Sequence, residues 1–325
     1  MPGITGMGTT YNLPNYVGEL FAASPEDTPL LSAIGGLTGG ISAGATLFEW
    51  QGYDLRDADE TRQRTEGADA PTGESRKRYR ASNVLEIHQE AVEVSYTRQG
   101  ATKQRSTDGA ATVTIGSTQI PASELAWQVD QSLKQISRDV EKTFIVGEYA
   151  NPTDNTAPRK TRGLLQAIET NVVTSELGDV DTDVILDLFQ KIWDNGGIQE
   201  SETRTVIVGS KMKRLLTRLF VTDAGYAERT RNVGGVNVQT IETDFGTANI
   251  MLDRYMPADQ IVVSSLEELA PTFLEIPGKG HMFAEPLAKT GAADKIQIYG
   301  EIGLKYGNEL KHGKLVLVDG GGSGE

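Results

Sequence analysis

Between Asp54 and Arg80 the chain carries seven acidic residues (Asp54, Asp57, Asp59, Glu60, Glu66, Asp69, Glu74), seven basic ones (Arg56, Arg62, Arg64, Arg76, Lys77, Arg78, Arg80) and almost nothing suited to a core. Strand-like stretches flank it. Thr46 to Trp50 reads TLFEW, and Asn83 to Tyr96 reads NVLEIHQEAVEVSY, where Val84, Ile87, Ala91, Val92 and Val94 are interleaved with polar residues. Alternation with period two marks a half-buried strand, so the two stretches read as the legs of a long hairpin. A segment as polar as 54–80 cannot offset the entropy of its own ordering by burial. It is either a solvated loop or a projection ordered by neighbouring molecules. A charge sum of zero favours the second, because a repelling tail would carry one sign.

Residues 1–45 pose the same problem. They read as an irregular arm with turn formers throughout and one short apolar patch, Leu30, Leu31 and Ile34, after the loop PEDTP. The run GGLTGGISAG at 35–44 closes it. An arm with so little periodicity lies on another surface, and a neighbouring copy is the expected one, with Leu30, Leu31 and Ile34 as contacts. The last six residues, GGGSGE, read as a disordered tail.

The remainder supplies a core. Pro121 precedes the clearest helix, capped by Ser123, with Leu125, Val129, Leu133, Ile136, Val140 and Phe144 on one stripe and an end near Gly147. A second helix starts near Asp183 and is expected to bury Val184, Ile185, Leu188, Phe189, Ile192 and Trp193 before Asn195, Gly196 and Gly197 stop it. Strand RTVIVG at 204–209 leads to Ser210 as the expected cap of helix KMKRLLTRLF. A hairpin turning at Asp244, Phe245 and Gly246 follows, then strands at 260–265, 295–307 and 314–319. The fold class is α+β.

Composition narrows the function. The chain has 325 residues and no cysteine, which excludes disulfides, thiolate metal sites and a cysteine nucleophile. No stretch reaches the roughly 20 apolar residues of a membrane helix, so no membrane is expected. A net charge of −14 argues against a protein whose main business is gripping nucleic acid, though an acidic wall around a nucleic-acid compartment is permitted.

One motif has a catalytic look. GISAG at 40–44 matches a serine-hydrolase elbow centred on Ser42, with Asp253 and then His281 or His312 in a usable order. An elbow needs a strand before the serine and a helix after it, whereas here a glycine-rich loop precedes and a strand follows, so a flexible loop is the preferred reading. His88 shares a strand face with Glu90, and a surface histidine beside a carboxylate is preferred to a metal site. No phosphate-cradling glycine motif follows any strand. Lys211, Lys213, Arg214 and Arg218 read as the wet side of their helix, opposite Leu215, Leu216 and Leu219. The residues therefore indicate no catalytic site, no metal and no cofactor.

Four strings, in order, carry a resemblance: ASPEDTPLLSAIGG followed by LFEWQGYDL, then RKTRGLLQAIETN, then VNVQTIETDFGTANIMLDRYMPADQIVV, then EPLAKTGAADKIQIYGEIGLKYGNELKHGKL. Together they resemble the major capsid protein of tailed bacteriophages, the HK97-like fold, over nearly the whole chain. The resemblance implies an N-terminal arm at 1–45, an extended loop at 46–100, and a peripheral domain at 101–180 whose spine helix spans 123–147. It implies an axial domain over most of 181–270, strands returning to the peripheral domain at 271–319, and the tail at 320–325.

By that resemblance the protein is a structural subunit. Its copies build hexamers and pentamers of an icosahedral shell around double-stranded DNA, which touches the inner face without sequence specificity. Contacts between copies fall on Arg56, Asp57, Asp59, Glu60, Arg62, Arg64, Glu66, Arg76, Arg78 and Arg80 of the loop. Further partners would be a portal, a separate scaffolding protein and decoration proteins. The location would be the virion, after assembly in the host cytoplasm. A cargo-housing encapsulin of the same fold and a serine hydrolase built on Ser42 are the alternatives.

Overall fold

The computed structural model describes residues 26–53, 55, 58–101, 112–116, 118–176, 178–197, 204–219 and 239–318. In chain order the first half comprises α1 (Pro29–Ile34), β1 (Ile41–Ala43), β2 (Leu47–Tyr53), β3 (Arg78–Val84), β4 (Glu86–Ser95), α2 (Tyr96–Ala101), β5 (Val113–Ile115), β6 (Thr118–Ile120), α3 (Glu124–Val146) and α4 (Leu164–Ala167). There follow β7 (Val172–Glu176), α5 (Thr182–Asp194), β8 (Arg204–Val208), α6 (Ser210–Thr217), β9 (Gln239–Thr243), β10 (Gly246–Leu252), β11 (Gln260–Ser265), β12 (Ala270–Leu274), β13 (Met282–Pro286), β14 (Ala293–Lys305) and β15 (Gly313–Val318). No helix among the described residues is long and apolar enough to cross a membrane.

Two sheets organise these elements. One has the order β1-β12-β14-β13, with β4 also paired to β14. The β4–β14 ladder is antiparallel and runs from Ser95 opposite Ala293 to Glu86 opposite Ile302. The other has the order β7-β15-β11-β8-β10-β9. Its strand β8, RTVIV, is buried at every position, the pattern of a strand covered on both faces.

Helix α3 forms because its apolar residues recur at spacings of three and four and its first turn is capped: the Ser123 side chain accepts from the Ala126 amide at 3.2 Å. Its 23 residues span about 35 Å. Val129, Ile136, Val140, Phe144 and Ile145 pack into one core with Leu30, Leu31, Val92, Val94, Ile296, Ile298 and Ile302. The helix ends where the chain returns across it. The Gly163 amide donates to the Gly147 carbonyl at 2.9 Å, and a Cβ on Gly163 would lie 2.5 Å from the Gly147 nitrogen, so only glycine permits this crossing.

The six-stranded sheet separates two cores. Ile207, Met251 and Val262 face the core built on α3. Val206, Val208, Ile250, Ile261, Val263, Leu315 and Leu317 face a second core with Ile185, Leu188, Phe189 and Ile192 of α5 and Met212 and Leu216 of α6.

Three expectations from the sequence need correction. Trp193, expected in the core, is 55% exposed because α5 presents it on the far side from Ile192. Ser210 is the first residue of α6 and not its cap; Gly209 holds that position and contributes no side-chain bond. The closing segment does not return as a unit either. β12, β13 and β14 join β1 and β4, whereas β15 pairs with β11 and β7 in the six-stranded sheet.

Candidate functional site

The hairpin of β2 and β3 is antiparallel, from Leu47 opposite Val84 to Tyr53 opposite Arg78. Beyond that last pair nothing folds back onto the body. Every described residue from Leu55 to Arg80 is exposed. Arg78 and Arg80, expected in the loop, are the outer residues of β3.

The loop charges are partly matched within the chain. Arg62 pairs with Glu74 and lies 3.5 Å from Asp59, and Arg76 is 3.3 Å from Glu74. Arg80 is 3.5 Å from Glu49 across the ladder. Hydrogen bonds from Thr61 hold the Asp59 carboxyl below the usual carboxylate range, and Arg62 does the same for Glu74. Glu60, Arg64 and Glu66 have no ion pair among the described residues, and Arg56 and Asp57 lie outside them. Tyr53 and Leu55 at the base of the loop are 71% and 66% exposed.

The hairpin is rooted by polar groups that periodicity does not reveal. Asn83 is fully buried. Its amide nitrogen donates to the carbonyls of Arg162 at 3.0 Å and Leu304 at 2.7 Å, and its oxygen accepts from the amides of Arg162 at 2.8 Å and Val84 at 2.9 Å. Beside it, Glu86 accepts from the Thr161 amide at 3.1 Å. Trp50 donates its indole N–H to the Gly307 carbonyl at 2.7 Å and meets Tyr306 edge-on, with ring centroids 4.8 Å apart. The projection is thus held at one end by β14, the turn after it and the segment after α3.

The arm differs from expectation. Leu30 and Leu31 are 0% and 2% exposed within the chain's own core, so they cannot serve as contacts to another copy. Glu141 of α3 explains why: its two carboxyl oxygens accept from the Leu30 and Leu31 amides at 2.7 and 2.6 Å, satisfying the first turn of α1. Ile34 packs partly buried against the same core.

The residues of the hydrolase reading do not converge. Ser42 lies in β1 and its Oγ meets His281 Nε2 at 2.6 Å, with His281 stacked on Phe273. No helix follows, since the next element is β2. Asp253 is buried beside Glu141. His88 bonds Glu86 at 2.7 Å and not Glu90.

His312 is fully buried, with Nε2 donating to the Tyr306 carbonyl and Nδ1 accepting from the Ser264 hydroxyl, each at 2.8 Å. Burial pushes its pKa down to about 4. A depressed histidine stabilises the fold above its unfolded pKa and loses that contribution as pH falls. Unfolding free energy, followed by urea denaturation, is expected to drop by about 3 kcal/mol more between pH 7 and pH 4 in wild type than in His312→Gln.

The family model for the SU10 major capsid protein matches residues 3–319. The chain belongs to this family. Among relatives of the SU10-type capsid protein, the major capsid protein of Escherichia phage Phieco32 is 23% identical over 366 residues, covering 96% of this chain and 95% of that one. The cyanophage A-1(L) capsid subunit superposes with a TM-score of 0.66 at 12% identity, over 96% of this chain and 98% of its own. The encapsulin of the holo-SrpI complex from Synechococcus elongatus PCC 7942 reaches 0.56 at 11% identity, over 95% and 93%. The fold of this SU10-type protein is HK97-like, and it is a major capsid protein of a phage, a subunit of the virion shell.

Proposed function

We propose that this capsid protein closes into an icosahedral head of hexamers and pentamers around double-stranded DNA, after assembly in the bacterial cytoplasm. The observation that carries the reading is the paired hairpin whose described residues from Leu55 to Arg80 are all exposed. Apolar side chains such as Tyr53 and Leu55 left in water favour association that covers them. In this reading residues 46–100 are the extended loop, and Asp59, Glu60, Arg62, Arg64, Glu66, Arg76, Arg78 and Arg80, with Arg56 and Asp57, meet the adjacent subunit. The layer of α3 and the β4–β14 sheet is the peripheral domain, and the six-stranded sheet with α5 and α6 is the axial domain.

The role is structural, with no catalytic step. A portal and a separate scaffolding protein are the expected partners, with decoration proteins outside. A net charge of −14 suits a shell whose DNA must slide during packaging, since phosphate adheres to clustered Lys and Arg. Negative-stain electron microscopy of the purified protein is expected to show closed particles or hexameric rings; a monodisperse monomer at high concentration overturns the reading. The likeness to an encapsulin favours a second reading, a cargo shell. Extraction of particles from the native source separates the two: genomic DNA supports the phage head, enzyme cargo without it the compartment.

A further inference from the structure

Three elements distant in sequence meet at two buried carboxyl groups. Glu141 on α3 and Asp253 just after β10 are both 0% exposed. Glu141 accepts from both α1 amides and shares a hydrogen bond with Asp253. One Asp253 oxygen accepts from the Tyr255 amide at 2.8 Å; the other, Oδ2, is buried and meets no donor from the described residues.

The cations nearby are engaged elsewhere. Arg254 pairs with Asp27 at 2.9 Å, Arg138 donates to the Tyr255 hydroxyl at 3.0 Å, and Lys134 pairs with Glu26 at 3.0 Å and Asp130 at 3.5 Å. Asp27, the other charge facing the pair, is itself negative. Two adjacent carboxyls without a cation cannot both ionise in a buried site, so they hold one proton between them. That proton supplies the donor that Asp253 Oδ2 otherwise lacks.

We propose that Glu141 and Asp253 form a proton-operated clamp: while they share a proton, α1 is held on α3, and loss of that proton releases residues 26–34 from the body. Helix α1 is the element that yields. It has six residues and joins no ladder, whereas α3 is a long capped helix and Asp253 is tied by its amide to the Val208 carbonyl at 2.9 Å. Burial, followed by the neighbouring Asp253, pushes Glu141 up to about 9, and burial raises Asp253 as well. A raised carboxyl stabilises the docked state fully below its unfolded pKa and loses that contribution as pH climbs through the folded value.

Hydrogen–deuterium exchange of the full chain, read on peptides covering residues 28–36, reports the release directly. Corrected for intrinsic base catalysis, protection of the Leu30 and Leu31 amides is expected to fall about tenfold per pH unit between about pH 7 and 9, the slope of one linked proton, while β8 and β11 keep theirs. In Glu141→Gln the profile is expected to be flat, because the amide oxygen still accepts from α1 and the amide nitrogen donates to Asp253 without a titrating proton. Should that variant fail to fold, Asp253→Asn carries the same test. A pH profile shared by wild type and variant overturns the clamp. So does loss of protection in α1 that occurs only together with β8 and β11.

Discussion

Replacing residues 54–77 by Asn-Gly is expected to give a folded chain that no longer closes into shells. The change joins Tyr53 to Arg78, which already face each other as the last pair of the ladder, and Asn-Gly suits a two-residue hairpin turn. Every described residue removed is exposed, so no core is lost and stability should change by less than about 1 kcal/mol. What disappears is the projection itself, with Leu55 and the charged groups between Asp59 and Arg76. Sedimentation velocity should find a monomer or small oligomer, and electron microscopy should find no closed particles. Closed particles from this variant would remove the loop from any account of assembly.

Asn83→Ala, made in that unassembled background, is expected to lower the unfolding free energy by roughly 3–5 kcal/mol. The background matters because association stabilises the folded state by mass action and would mask the loss. Asn83 serves two carbonyls and two amides, and alanine leaves all four backbone groups without their partner. Unmade bonds to buried polar groups cost more than made ones contribute, which places this substitution above an ordinary core truncation. Urea denaturation measures the effect, with half-buried Ser82→Ala as the neighbour expected to cost under about 0.5 kcal/mol. A loss no larger than that control would mean that the hairpin root is held by Trp50 and Glu86 alone.

Much of the fold was legible in the sequence. The legs of the hairpin, the stripe and cap of α3, and the buried run of β8 follow from spacing alone, because period and capping are local properties of a chain. The charged segment was legible as a projection for the same reason: a stretch without apolar residues has no core to enter. The short strands β1, β12 and β13 were not, since a three- to five-residue strand exists only through its partner. Arm residues Leu30 and Leu31 were read as a surface for another copy, yet the chain itself covers them. The one available signal was Glu141, a charge set between Val140 and Phe144 on the apolar side of α3.

Periodicity, charge balance and four ordered strings thus determined the class of fold, the projecting hairpin and the family without any coordinates. Only the tertiary structure decided that β15 leaves β14 for the six-stranded sheet, that Asn83 roots the hairpin on Arg162 and Leu304, and that Glu141 holds α1 beside Asp253. The physical reason is range. Strand and helix signals act between residues a few positions apart, whereas a buried polar group is tolerated or not according to partners that lie 79, 111 or 221 residues away.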